Sequence, residues 1–263
     1  MSEGRRYTAQ LQAGLGMVNE TMALLRLWEP GDTPIRLADR AIEHGVFARA
    51  TGRRARNIVV EMFGPRYLVD GGKPAASLQK LLAARQPLED LTQLFFLYTA
   101  RAQRILRDFV TDVYWPQYMG GAIRLSREHA ESFIRRAIDA GCMHKRWTES
   151  TIRRVSGYLI GACADFGLLA GSARSDRTIQ RFTVRPAVAL YLAYDLHFAG
   201  HGDGAVLGHV DWRLFGFDAV EAVAVLKSLA QDGHLIVQVG GDVLHVTWKY
   251  RCMEECIRAL TEG

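Results

Sequence analysis

One motif is written twice in this chain, and the repeat restricts its fold more than any other feature. The first copy reads R-A-I-E-H-G from Arg40 to Gly45, then T-G-R-R-A-R-N-I-V from Thr51 to Val59. The second reads R-A-I-D-A-G from Arg136 to Gly141, then T-E-S-T-I-R-R-V-S from Thr148 to Ser156. Each is an amphipathic helix, a glycine stop, a short basic link and a Thr-capped helix with arginines in its first turns. A threonine before a helix accepts a hydrogen bond from a free backbone N–H, and a glycine after one supplies the left-handed residue that ends it. The pattern predicts two helix-turn-helix units, whose second helix can lie in a nucleic-acid groove.

The rest of the chain reads as helices with a few turns. Leu11 to Leu27 has apolar residues at helical spacing. Thr33 caps a helix that begins with Pro34 and runs to about His44. The first basic helix runs to Phe63 and is closed by G-P at 64–65. R-Y-L-V at 66–69 and D-G-G at 70–72 read as a short β segment and turn, a rudimentary wing. Ala75 to Ala84 is helical. Leu88 to Val113 is the most apolar long stretch and the predicted central core, ended by W-P at 115–116 because proline disfavours a helical residue before it. A helix beginning at Ser126 stops at Gly141, and the Thr148-capped helix runs towards Gly167. Arg174 to Val184 alternates around Ile179, Phe182 and Val184, as a wing strand would. Beyond Pro186 come an aromatic helix to Phe198, a G-H-G-D-G loop at 200–204 and a helix from Asp218 to Gln231. A β-hairpin of H-L-I-V-Q-V and V-L-H-V-T-W and a last helix from Met253 to Leu260 follow. The predicted fold is mostly α: helix-turn-helix and winged-helix-like modules around a helical core, with short β-hairpin wings. The expected segments are 1–74, 75–120 (the core), 121–185 and 186–263.

Charge separates the chain into two parts. Residues 1–200 carry a net charge of +9 and residues 201–263 one of −4. A basic body suits a polyanion, whereas the acidic remainder suits another kind of partner. No apolar run is long enough to span a bilayer. Val155 to Gly171 comes nearest, but it holds Asp165 and adjoins Arg153 and Arg154. The four cysteines form no disulfide framework, which points to a reduced, cytoplasmic setting.

Candidate contact residues follow from the repeat. Arg53, Arg54, Arg56 and Asn57 fall within two turns, with Arg53, Arg56 and Asn57 on one face and Ile58, Val59 and Met62 turned inward. A guanidinium fork matches phosphate oxygens and the guanine edge, and asparagine matches adenine. The second copy offers Lys145, Arg146 and Thr148 around the cap, then Arg153 and Arg154. Arg174, Arg177 and Arg181 on the wing could reach the neighbouring backbone. The plain alternative for both helices is a solvated basic face, with local pairing to Glu61 in the first. Trp147, Trp115, Tyr114 and Tyr118 read as core aromatics rather than stacking platforms. Cys252 and Cys256, at i and i+4, offer half of a metal site but no second pair with the right spacing exists, and His197 flanks an aromatic helix while His201 and His209 flank a glycine loop. No phosphate loop, dinucleotide fingerprint, zinc-protease or nucleophile-elbow motif is present, so the expectation is a non-enzyme without cofactor or metal.

Several runs also resemble a known family. They are G-L-G at 14–16, E-T-M-A-L-L-R-L-W at 20–28, R-N-I-V-V-E-M-F-G-P-R-Y-L at 56–68, L-F-F-L-Y-T-A-R-A at 94–102, D-V-Y-W-P-Q-Y at 112–118, T-I-R-R-V-S-G-Y-L at 151–159, Y-L-A-Y-D-L-H-F-A-G at 191–200 and W-K-Y at 248–250. In this order they resemble the BrxA family of the bacterial BREX phage-defence system. The resemblance implies an antiviral role alongside a methyltransferase, a large ATPase and a phosphatase-like partner, and brings no catalytic residues with it. The family has been described both as an inner-membrane protein, which this sequence opposes, and as resembling an RNA-binding antitermination fold, which it leaves open. The combined expectation is double-stranded DNA binding within phage defence. RNA binding through single-stranded loops, or an adaptor role towards other BREX components, are the alternatives.

Overall fold

Apolar spacing produces a mostly helical protein with two small antiparallel sheets. The computed structural model describes residues 7–8, 16–47, 51–143, 145–171, 176–240 and 243–262. Its contacts group into two units, residues 1–75 with 95–182 and residues 76–94 with 183–263.

In the first unit, α1 (Val18–Leu27) leads to α2 (Pro34–Glu43), which Thr33 caps by accepting from the Arg36 N–H at 3.2 Å. Arg40 of α2 donates to both carboxylate oxygens of Asp32, to Glu29 and to the Leu27 carbonyl, and so fixes the intervening loop. Then come α3 (Gly52–Asn57), a π-helical turn at Ile58–Phe63 and α4 (Gly64–Tyr67). The expected wing at 66–69 is therefore absent: the helix continues to Tyr67, and Arg66 and Tyr67 are buried.

The G-P and W-P pairs do not end their helices. A proline inside an α-helix lacks an N–H and presses on the carbonyl four residues back. Here a π turn precedes each one, Ile58–Phe63 before Pro65 and Val110–Tyr114 before Pro116. The Gly64 N–H reaches the Val59 carbonyl and the Trp115 N–H the Val110 carbonyl, five residues back. This wider turn absorbs the proline. Gly64 has its own reason to be glycine: a Cβ there would meet Pro34 Cγ at 3.2 Å.

The predicted 88–113 helix is divided and longer than expected. It comprises α6 (Leu88–Ala102), a non-helical residue at Gln103 (φ −119°, ψ 84°), α7 (Arg104–Phe109), the second π turn and α8 (Trp115–Met119). Between α6 and α8, Phe95, Phe96, Phe109, Val110 and Tyr114 are fully buried, as befits the core. β1 (Arg124–Ser126), α9 (Arg127–Asp139), α10 (Glu149–Asp165), β2 (Leu169–Ala170) and β3 (Asp176–Ile179) complete the unit. Their sheet has the order β1-β3-β2, all antiparallel, with Arg124 opposite Thr178 and Leu125 opposite Arg177. The expected strand of 174–184 is thus confined to Asp176–Ile179, and Phe182 instead packs edge-on against Phe96. Tyr7 is anchored to this unit, its ring 6.1 Å from that of Phe133. Its N–H donates to the Cys142 carbonyl (2.7 Å), its hydroxyl to Asp108 (2.7 Å), and it bridges in parallel to Met143.

The second unit is built on α11 (Pro186–Phe198), buried from Val188 to Tyr194 and at Leu196. Such a helix, apolar on every side, belongs at a centre. Around it lie α5 (Lys73–Ala83, from Ala76 onward), α12 (Asp203–Leu207), a 3₁₀ segment at Val210–Phe215, α13 (Ala219–Gln231), the hairpin β4 (Leu235–Gly240) and β5 (Val243–Trp248), and α14 (Met253–Glu262). α12 begins inside the stretch expected to be a loop. The Tyr194 hydroxyl donates to the His234 carbonyl (2.7 Å) and accepts from the Lys249 N–H (2.9 Å). Asp203 accepts from the Val246 N–H and the Trp248 indole. No helix among the described residues is long and apolar enough to cross a membrane.

Two histidines of this unit should make its stability depend on pH. The His197 ring stacks on Trp248 at 4.3 Å, and His234 Nδ1 lies 2.8 Å from the Tyr250 hydroxyl. Burial lowers the pKa of both; Asp203 opposes this at His197, as does Asp232 at His234, where Lys249 reinforces it. A histidine with a lowered folded pKa binds fewer protons than in the unfolded chain. Its stabilising contribution is therefore complete above the ordinary histidine value of about 6.5 and is lost as pH falls through the folded value. Urea denaturation should show stability falling from pH 7.5 to pH 5, and His197→Phe with His234→Gln should flatten that fall. An undiminished pH dependence in the double variant would assign it to other groups.

Candidate nucleic-acid interface

Both copies of the repeat fold as capped helix pairs. In the first, Gly45 has φ +65° and Thr51 Oγ1 accepts from the Arg54 N–H at 3.3 Å. In the second, Gly141 has φ +71° and Thr148 Oγ1 accepts from the Thr151 N–H at 3.3 Å. α2 packs on α3, and α9 on α10.

Apolar burial decides which way the arginines face. Ala55, Ile58, Val59, Met62 and Phe63 are buried, leaving Arg53, Arg54, Arg56 and Asn57 exposed. On α10, Ile152, Val155, Ser156 and Leu159 are buried, and Arg153 and Arg154 are exposed. Lys145, Arg146 and Thr148 are exposed on the link. Arg53, Arg54, Arg153 and Arg154 have no salt-bridge partner among the described residues.

One ion pair clamps each helix pair, with opposite polarity. In the first copy Arg56 of α3 meets Asp39 of α2 at 2.7 Å, both side chains about half exposed. Its partner is thus Asp39, not Glu61. In the second copy, Arg135 of α9 holds Glu149 of α10 by two bonds of 2.7 and 2.6 Å. The Arg135 fork, aided by Arg153 and Arg146, keeps the Glu149 carboxyl below the usual carboxylate range. Neither pair is legible in the sequence, because each acts between helices over a 14- or 17-residue separation.

The wing arginines divide by strand alternation. Arg177 lies opposite buried Leu125, is half-buried, and its Nε has no hydrogen-bond partner among the described residues. Its charge acts on Cys163 and Asp165 instead. Arg124, which the sequence did not single out, is exposed opposite exposed Thr178, and Arg181 is exposed as well. A three-residue strand such as β1 is too short to show a period. Arg174 lies outside the described residues.

The other candidates have structural roles. Tyr114 and Trp115 are buried in edge-to-face contact, and burial pushes the Tyr114 hydroxyl well above the usual phenol range. Burial likewise pushes the Cys163 and Cys256 thiols up to about 12. His201 and His209 face each other with ring centres 4.9 Å apart, and His209 also approaches buried Asp211. No group of three His, Cys, Asp or Glu side chains among the described residues is arranged to hold a metal ion.

No curated protein matches this chain. A crystal structure of an uncharacterized protein from Magnetospirillum magneticum superposes with a TM-score of 0.58 over 80% of this chain and 98% of that one. At 17% identity that likeness concerns the fold alone. The BrxA family model matches residues 5–195, which include both helix pairs and most of α11. The chain therefore belongs to the BrxA family, and through it is associated with BREX phage defence.

Proposed function

We propose that this chain is a non-enzymatic, double-stranded DNA-binding component of BREX defence, acting in the cytoplasm without a cofactor. The observation that carries the reading is the pair of capped helices, each with exposed arginines in its first turns that form no salt bridge among the described residues: Arg53 and Arg54, Arg153 and Arg154. The connectivity around the second supports it. A strand, two helices and two further strands in the order β1-β3-β2 is the plan of a winged helix, with α10 as recognition helix. Most of the affinity then comes from phosphate contacts by Arg53, Arg54, Lys145, Arg146, Arg153 and Arg154.

The second unit supports an adaptor role beside DNA binding. Its α13 and hairpin follow a similar helix-then-hairpin plan, but Val220 is 78% and Ile236 58% exposed, and residues 201–263 carry a net charge of −4. Apolar side chains in an acidic setting suit another BREX component better than a phosphate backbone.

The decisive test is a titration against duplex DNA, single strands and structured RNA at several salt concentrations. Duplex affinity should fall log-linearly with salt, and Arg53→Ala with Arg54→Ala, or Arg153→Ala with Arg154→Ala, should flatten the slope by roughly one to two counterions. Unchanged affinity and slope in both double variants would remove these helices from the interface. Preference for RNA loops over duplex would instead support an antitermination-like role.

The second unit needs a different substitution from its acidic residues. Asp218 and Glu221 form the reciprocal cap of α13, so reversing them would also loosen its first turn. Lys227 is exposed farther along α13. Lys227→Glu should leave duplex affinity unchanged, and a marked loss with intact helicity would place DNA on this unit.

A further inference from the structure

α10 begins with an exposed carboxylate, a position that its N-terminal dipole favours but that a facing phosphate backbone does not. Glu149 is its first residue, with a side chain 66% exposed. It is not needed as the cap, because Thr148 accepts from the Thr151 N–H. Nor is it free to swing. Arg135 holds it with two parallel bonds, Nη1 to Oε1 at 2.7 Å and Nη2 to Oε2 at 2.6 Å. Glu131, at 4.0 Å from the same guanidinium, buttresses Arg135 from one turn earlier on α9. The charges of Arg153 and Arg146 also act on the carboxylate. A fork of this kind uses one lone pair of each oxygen and leaves the others able to accept.

In a major groove, donors on base edges are the exocyclic amino groups of cytosine and adenine. Adenine sets its N7 acceptor beside the amino group, which a carboxylate disfavours, so glutamate matches cytosine N4. The first residues of a recognition helix are those that meet base edges. We propose that Glu149 is the specificity-determining residue of this surface, accepting from a cytosine amino group, and that Arg135 is the positioning residue that aims it. This rests on the reading of α10 as the groove-facing helix. The arginines attract any duplex; the carboxylate repels phosphate wherever no base donor compensates, and so converts general attraction into discrimination.

The experiment selects binding sites from random duplexes with the full chain and then measures affinity for selected and scrambled duplexes at fixed salt. The unsubstituted protein should enrich a motif with one invariant C·G pair and lose affinity about ten-fold or more when that pair is changed. Glu149→Ala should lose that preference and bind scrambled duplex as well as, or several-fold better than, before. Glu149→Gln, which keeps a hydrogen bond to Arg135, should move the preference towards adenine. Arg135→Ala should blunt the preference, and circular dichroism confirms that each variant is folded. Tight duplex binding with no motif, or the same motif in Glu149→Ala, overturns this proposal and leaves the DNA reading standing. Failure of the unsubstituted protein to bind duplex overturns both.

Discussion

The inward face of α10 is the constraint on which the basic surface depends. Ile152, Val155, Leu159 and Cys163 are buried at helical spacing, and the intervening Arg153 and Arg154 have nowhere to go but outward. The same logic operates at Ala55, Val59 and Met62 behind Arg53 and Arg54. Each Ile, Val, Leu or Met side chain buried in this way stabilises the fold by about 1.5–3 kcal/mol, more than a surface ion pair supplies. Hydrophobic phase therefore sets which charges face solvent, and the interhelix pairs adjust how the helices are held.

The two copies share a plan and differ in electrostatics. In the first, the clamp occupies a cation of the second helix, Arg56, with an anion of the first, Asp39. In the second, it occupies an anion of the second helix, Glu149, with a cation of the first, Arg135. Both arrangements leave two adjacent arginines exposed on the second helix. Only the second also sets a held carboxylate among them, so repetition of sequence has not produced repetition of chemistry.

What the sequence discloses is mainly what local physics controls. Thr33, Thr51 and Thr148 cap their helices, Gly45 and Gly141 stop theirs, and the C-terminal hairpin pairs in register from Leu235 with Trp248 to Gly240 with Val243. These features depend on a few adjacent residues. The failures come from distant partners. β1 exists because β3 pairs with it from fifty residues away, and a strand of three residues leaves no pattern of its own. Arg177 looks like a wing contact until its register opposite Leu125 is known. The segment 66–69 has β-forming side chains, but burial of Tyr67 against Phe63 and Phe95 overrides that preference.

The two π turns have a consequence for how this sequence can change. Each inserts one residue's worth of rotation, so every side chain beyond it is turned by about 100° relative to an unbroken α-helix. Beyond the first, that rotation carries the buried positions of Arg66 and Tyr67; beyond the second, it carries the run from Trp115 to Met119. Deleting a single residue from either turn would leave the composition nearly intact and yet rotate an entire downstream face out of the core, with a proline returned to an α-helical interior. Lengths at these two places are thus under tighter constraint than identities, and homologous chains should vary in which apolar residues they use there before they vary in how many.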